Sequence, residues 1–165
     1  MLIYEIPVIG ETHLLKSYMD FCQGFEEPVT NVTTGSLVFS DYHKLYFYFV
    51  DDYNLEFERF FPSIQTYLIG AVAVFDWQRV DSLQYVKKLM ESLFRDIEIP
   101  ILYHALNIHR GLPFSKDRVG NGILLDRRSY LYFSRRTVKA ELVDGIKKLI
   151  GFVSIQDGEN EKTDN

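Results

Sequence analysis

Apolar positions along this chain recur with two periods, and the switches between them mark out strands and helices. Residues 1–9 form a strand-like run, with Pro7 expected near its end. Beyond Gly10, Leu14, Leu15, Tyr18 and Phe21/Cys22 fall three and four residues apart, which is one face of a helix. Residues 24–34 are polar, contain Pro28, and read as a loop. Residues 36–39 and 45–50 are β-rich, and the polar stretch Asp41-Tyr42-His43-Lys44 between them predicts a hairpin. Asp51-Asp52-Tyr53-Asn54 is turn-like, and residues 55–67 are expected to be helical, broken or started by Pro62. Residues 70–75 are continuously apolar, the mark of an inner parallel strand covered on both faces. Asp81 is placed to cap a helix whose core stripe is Leu83, Val86, Met90 and Leu93. Residues 100–106 form another buried strand, and 130–133 a further one. Between them a short helix is expected near 115–119, weakened by Gly120 and Gly122. Val138, Leu142, Ile146, Leu149 and Val153 give a final helix. Residues 156–165 are polar and charged, and the composition predicts a disordered tail.

Alternating strands and helices with a single early hairpin predict a three-layer α/β domain over residues 1–155. Its sheet is expected to be mostly parallel and six-stranded, with one antiparallel edge strand. A length of 165 residues fits one domain with one real core. The formal charge of −5 announces no basic surface, so nucleic acid is not an expected partner. The single cysteine, Cys22, permits no internal disulfide and fits a cytoplasmic setting. No leader-like segment precedes the first strand, and no apolar run is long enough to span a membrane.

Several stretches carry a resemblance. Gly70-Ala71-Val72-Ala73-Val74-Phe75-Asp76 with Arg79 and Asp81-Ser82-Leu83, then Ile99-Pro100-Ile101-Leu102 leading to Asn107, resemble framework segments of the Ras-like small GTPases, in particular the bacterial MglA-like branch. The likeness runs over roughly residues 1–153 and implies the Ras-like P-loop fold.

The family's functional motifs are degenerate here. Its phosphate-binding loop needs a glycine-rich turn followed by Lys and Ser/Thr. The matching stretch is Ile6-Pro7-Val8-Ile9-Gly10-Glu11-Thr12, which keeps Gly10 and Thr12 but sets Glu11 at the lysine position. A carboxylate there repels a polyphosphate. An alternative alignment through Lys16-Ser17 lacks the preceding glycine. At the family's Asp-x-x-Gly-Gln motif stand Asp51-Asp52-Tyr53-Asn54, with Tyr53 at the glycine and Asn54 at the glutamine position. At Asn-Lys-x-Asp stand Asn107-Ile108-His109-Arg110. A guanidinium has only donors, so Arg110 is unable to accept the guanine N–H groups.

The resemblance with these losses implies a catalytically inactive, small-GTPase-like interaction or scaffold module without cofactor or metal. Its implied partner is another protein, one of roadblock type being the family's example. Two other readings stay open: an atypical nucleotide-binding protein with weak or no hydrolysis, and a small-molecule or enzymatic α/β domain using an acidic crevice. Glu11, Asp51, Asp52 and Asp76 are expected near that crevice, with a bound cation or an ion pair to Arg110 to balance them. Glu11 also has a plainer reading as a helix-dipole partner. Phe57, Phe60 and Phe61 follow the second motif and read either as an exposed partner-binding patch or as core. The four histidines His13, His43, His104 and His109 match no metal-ligand spacing.

Overall fold

The computed structural model describes residues 2–22, 32–51, 55–95, 97–108, 128–134 and 139–163, the side chains of 39, 55, 56 and 152–163 excepted. The strands are β1 (Leu2–Gly10), β2 (Thr33–Ser40), β3 (His43–Val50), β4 (Ala71–Asp76), β5 (Ile101–Leu106) and β6 (Ser129–Phe133). The helices are α1 (Thr12–Met19), α2 (Leu55–Ile64), α3 (Val80–Leu93) and α4 (Lys139–Thr163), with a 3-10 turn at Gln65–Tyr67. The sheet order is β2-β3-β1-β4-β5-β6. Only the β2–β3 pair is antiparallel, and the other four pairings are parallel. The result is a three-layer α/β architecture with a six-stranded, mostly parallel sheet.

Strand pleating sends alternate side chains to opposite layers. On one face Ile6, Val8, Leu45, Phe47, Val72, Val74 and Leu102 pack under Leu14, Leu15 and Tyr18 of α1 and Leu142, Ile146 and Leu149 of α4. On the other face Ile9, Tyr48, Ala71, Ala73, Phe75 and Ala105 pack under Phe57, Phe61 and Ile64 of α2 and Leu83, Val86 and Met90 of α3. Each fully buried large side chain contributes roughly 1.5–3 kcal/mol.

The structure departs from the sequence reading at five points. Strand β1 does not stop at Pro7 but runs to Gly10. The Glu5 carbonyl accepts from Ile69 N–H at 3.3 Å on the β4 side, and residues two apart face the same side of a strand. The nitrogen of Pro7 therefore also faces β4, whose ladder begins only at Val8↔Val72, so its missing N–H breaks no rung there. Strand β2 starts at Thr33, inside the stretch read as a loop, because Thr33 pairs with Phe49 and Thr34 with Tyr48. Asp81 lies in the first turn of α3 rather than at its cap, which is Arg79. Pro62 sits inside α2 and does not end it. The α4 backbone is helical through Thr163, beyond residue 156 where polar composition predicts a disordered tail. A nucleated helix gains one hydrogen bond per added residue, and Gln, Glu and Lys sustain it without burial. The expected helix at 115–119 lies outside the described residues. Among the described residues no helix is long and apolar enough to cross a membrane.

Candidate functional site

Strands β1 and β4 are neighbours, yet the chain leaves them in opposite directions. From β1 it passes through α1 on one face towards β2 and β3, and from β4 through α3 on the other face towards β5. Such a divergence at the carboxyl ends of the strands marks the edge where α/β sheets usually bind ligands. Gly10, Glu11 and Thr12 at the end of β1, Asp51 after β3, Asp76 ending β4 and Asn107 after β5 all fall along this edge. The sheet therefore brings together the nucleotide-site candidates that lie within the described residues. Asp52, Tyr53, Asn54, His109 and Arg110 lie outside them.

The turn from β1 to α1 is one residue long. Ile6, Val8 and Ile9 are fully buried strand residues. Glu11 is the N-cap, in extended conformation, and Thr12 begins the helix. Gly10 has a packing role: a Cβ on it would lie 2.7 Å from the Val74 carbonyl oxygen and 3.3 Å from Val74 Cβ. Only glycine lets the end of β1 approach β4 this closely.

Three polar pairs link the ends of four adjacent strands. The Thr12 hydroxyl donates to Asp51 Oδ2 at 2.8 Å, joining the start of α1 to the end of β3. Arg79, between β4 and α3, pairs with Glu11 through Nη1 at 3.1 Å from Oε1 and 3.4 Å from Oε2. Asn107 Nδ2 donates to Asp76 Oδ2 at 2.9 Å, joining β5 to β4. The other Asp76 oxygen, Oδ1, accepts from Gln78 N–H at 2.8 Å, and Gln78 Nε2 donates to the Asn107 carbonyl at 3.1 Å. Both oxygens of Asp76 are thus engaged. Asn107 has φ 60°, a left-handed conformation that asparagine tolerates better than most residues.

Arg79 also bonds Asp81 at 2.5 Å. The Arg79 guanidinium, hydrogen-bonded to it, holds the Asp81 carboxyl below the usual carboxylate range. The Asp81 hydrogen bond, with the Glu11 charge, fixes Arg79 still more firmly in its charged form. Among the described residues the cation that pairs with Glu11 is Arg79, which the sequence reading places only as framework; Arg110 lies outside them. The two residues are 68 positions apart, and only the sheet order makes them neighbours.

The aromatic residues after the second motif need a correction. Phe57 is 0% and Phe61 6% exposed. Phe60 is half-buried, with its ring 5.5 Å from that of Tyr48. Phe57 and Phe61 are core, and Phe60 packs half-buried against them, so the three do not form an exposed patch. The signal was available, since Phe57, Phe61 and Ile64 follow the i, i+4, i+7 rule of a buried helical stripe.

Sequence reasoning also missed a buried polar cluster. His104 on β5 is fully buried; its Nδ1 bonds the Tyr18 hydroxyl and its Nε2 the Ser134 hydroxyl. Burial lowers its pKa from 6.5 to about 3, so the imidazole stays neutral. Burial likewise pushes the Tyr18 phenol well above its usual range. With Tyr18 and Ser134 no more than 1% exposed, this cluster joins α1, β5 and the end of β6 inside the core. The available clue was a histidine in the middle of an apolar strand, which needs polar partners at the same depth. Glu5 on β1 is half-buried. Desolvation raises its pKa against the opposing hydrogen bond from Tyr48, and its Oε2 is buried with no hydrogen-bond partner among the described residues.

Among the described residues no group of three or more His, Cys, Asp or Glu side chains is disposed to hold a metal ion. No protein-family model matches this chain, and no curated protein sequence matches it.

Proposed function

We propose that this chain is a small-GTPase-like module that works by binding another protein and carries no nucleotide chemistry. The observation that carries this reading is the Glu11–Arg79 ion pair across the crevice. Glu11 occupies the position where the resemblance calls for a phosphate-binding lysine. Its carboxylate engages Arg79, and the one-residue turn from β1 to α1 leaves no loop there to wrap a phosphate. The pairs Thr12–Asp51 and Asn107–Asp76 use side chains that the resemblance would assign to metal and base recognition. An antiparallel β2 at the rim of an otherwise parallel sheet supports the Ras-like part of the reading. A fold whose strand ends are tied by its own side chains needs no ligand to hold one conformation. By the same resemblance, a roadblock-type protein is the partner class to try first. Phe57 and Phe61 are core and offer no docking surface.

Denaturing protein freshly purified from cells, and analysing the supernatant for guanine and adenine nucleotides, tests this. The expected result is no nucleotide beyond background. Near-stoichiometric GDP or GTP would remove the proposal in favour of an atypical nucleotide-binding protein.

A further inference from the structure

The buried cluster around His104 holds a fixed number of hydrogens, and counting them gives it a direction. Its Nδ1 meets the Tyr18 hydroxyl and its Nε2 the Ser134 hydroxyl. A neutral imidazole carries one N–H, and each hydroxyl carries one O–H. Three hydrogens therefore share two links, and one hydroxyl hydrogen must turn away from the ring. Tyr18 is 0% exposed and lies among the apolar side chains under α1, so a phenol hydrogen turned away there would point into core. Ser134 follows β6 at the strand ends, where its N–H donates to the Ala105 carbonyl at 2.9 Å and its carbonyl accepts from Ile108 N–H at 3.4 Å. A serine hydroxyl rotates freely, and the more acidic phenol is the stronger donor of the two. Turning the Ser134 hydrogen outwards is therefore the less costly arrangement.

We propose that this chain of bonds, Tyr18 O–H to Nδ1 and Nε2–H to Ser134 Oγ, is an acid-released clasp that holds α1 and the end of β6 against β5 while His104 is neutral. An imidazolium has two N–H donors, so four hydrogens would share the same two links. Both hydroxyl hydrogens would then turn outwards, that of Tyr18 into apolar core, at the cost of an unsatisfied buried donor. Among the described residues no carboxylate bonds the ring to balance its charge. Beside His104 on the same face of the sheet, β4 sets Val74 and β6 sets Tyr132, whose ring is 5.1 Å away. The charged groups on that side belong to α4 and act on Tyr132. Asp144 accepts from its hydroxyl at 2.8 Å, Lys148 Nζ stands 5.7 Å from its ring centre, and the Glu141 charge adds to the field on its phenol. A proton therefore reaches His104 when the clasp opens. The side chains packed under α2 and α3 lie on the other face of the sheet and take no part in it, so α1 and β6 are the segments released. This inference is independent of the nucleotide reading, and nucleotide titration has no bearing on it.

Nuclear magnetic resonance on the wild-type protein tests it in two steps. At pH 7 the His104 imidazole should carry its proton on Nε2 and none on Nδ1. A proton on Nδ1 overturns the assigned direction and the proposal with it. Amide hydrogen exchange, corrected for intrinsic rates, is then compared at pH 7 and pH 5. An open state in which His104 titrates at its ordinary 6.5 should be populated about 25-fold more at pH 5 than at pH 7. The α1 and β6 amides should show that rise, and at pH 5 they should open more readily than those of α3. Equal opening of α1, β6 and α3 would mean that only global unfolding admits the proton, and it overturns the clasp, as does an α1 opening that ignores pH. In His104→Leu the rise at α1 should vanish, and a rise of the wild-type size there also overturns the proposal. Should that variant fail to fold, the wild-type comparison decides alone.

Discussion

Acidification probes the buried cluster around His104. In the native protein its pKa lies at about 3, because the fully buried ring would lose its hydration on protonation. In the unfolded chain it titrates near its usual 6.5. Above pH 6.5 both states carry a neutral ring and no stability depends on it. Below pH 6.5 the unfolded state binds a proton that the native state refuses, so stability falls as pH falls, down to about pH 3. The slope in that window is about 1.4 kcal/mol per pH unit, so the loss is about 2 kcal/mol by pH 5. For a domain of this size that lowers the melting temperature by roughly 4–8 °C. Other groups also titrate in this range, so the informative quantity is a difference. Urea unfolding of wild type and His104→Leu at pH 7, 6 and 5 provides it. The variant strands the Tyr18 and Ser134 hydroxyls and should be the less stable protein at pH 7. It lacks the titrating ring, so the gap should narrow by about 2 kcal/mol by pH 5. A gap that stays constant, or an imidazole seen by NMR to titrate near 6.5 in the folded protein, would refute the reasoning.

Other sites give sharp expectations. Gly10→Ala forces a methyl group against the Val74 carbonyl and should cost about 1–3 kcal/mol in denaturant unfolding, with the slope unchanged. Tyr18→Phe leaves His104 Nδ1 without its partner and should cost about 1–3 kcal/mol, measured the same way. Glu5 has a raised native pKa, so its contribution is fully present below 4.5 and lost as pH rises through the native value. Glu5→Gln should therefore be more stable than wild type at pH 7, with the advantage disappearing below pH 4.5. Glu11→Lys restores the lysine of the resembled motif but sets a like charge beside Arg79, which keeps only its pair with Asp81 among the described residues. It should not create nucleotide binding, as judged by thermal shift with Mg-GTP.

Much of the fold was legible because burial leaves a periodic trace. The stripe Leu14, Leu15, Tyr18 located α1, the unbroken apolar run of β4 announced a strand covered on both faces, and the largely apolar run of β5 announced a second buried strand. Pro7 misled because a proline is excluded from an inner strand only where a ladder needs its N–H, and there the β4 ladder has not yet begun. The strand-end crevice was legible as a set of acidic positions but not as a set of pairs. Which cation meets Glu11 depends on β4 lying beside β1, a fact of topology that no local pattern carries. The His104 cluster was hidden for the same reason, since its partners stand 86 and 30 residues away in sequence.

The central proposal is that the strand ends, tied by the pairs Thr12–Asp51, Glu11–Arg79 and Asn107–Asp76, serve no nucleotide. Calorimetric titration of the purified protein with GTP, GDP and ATP, each with Mg²⁺, tests it most directly. The account predicts no binding heat for any of the three. Micromolar or tighter binding of a guanine nucleotide would contradict it, for the ligand would have to displace the Glu11–Arg79 and Asn107–Asp76 pairs.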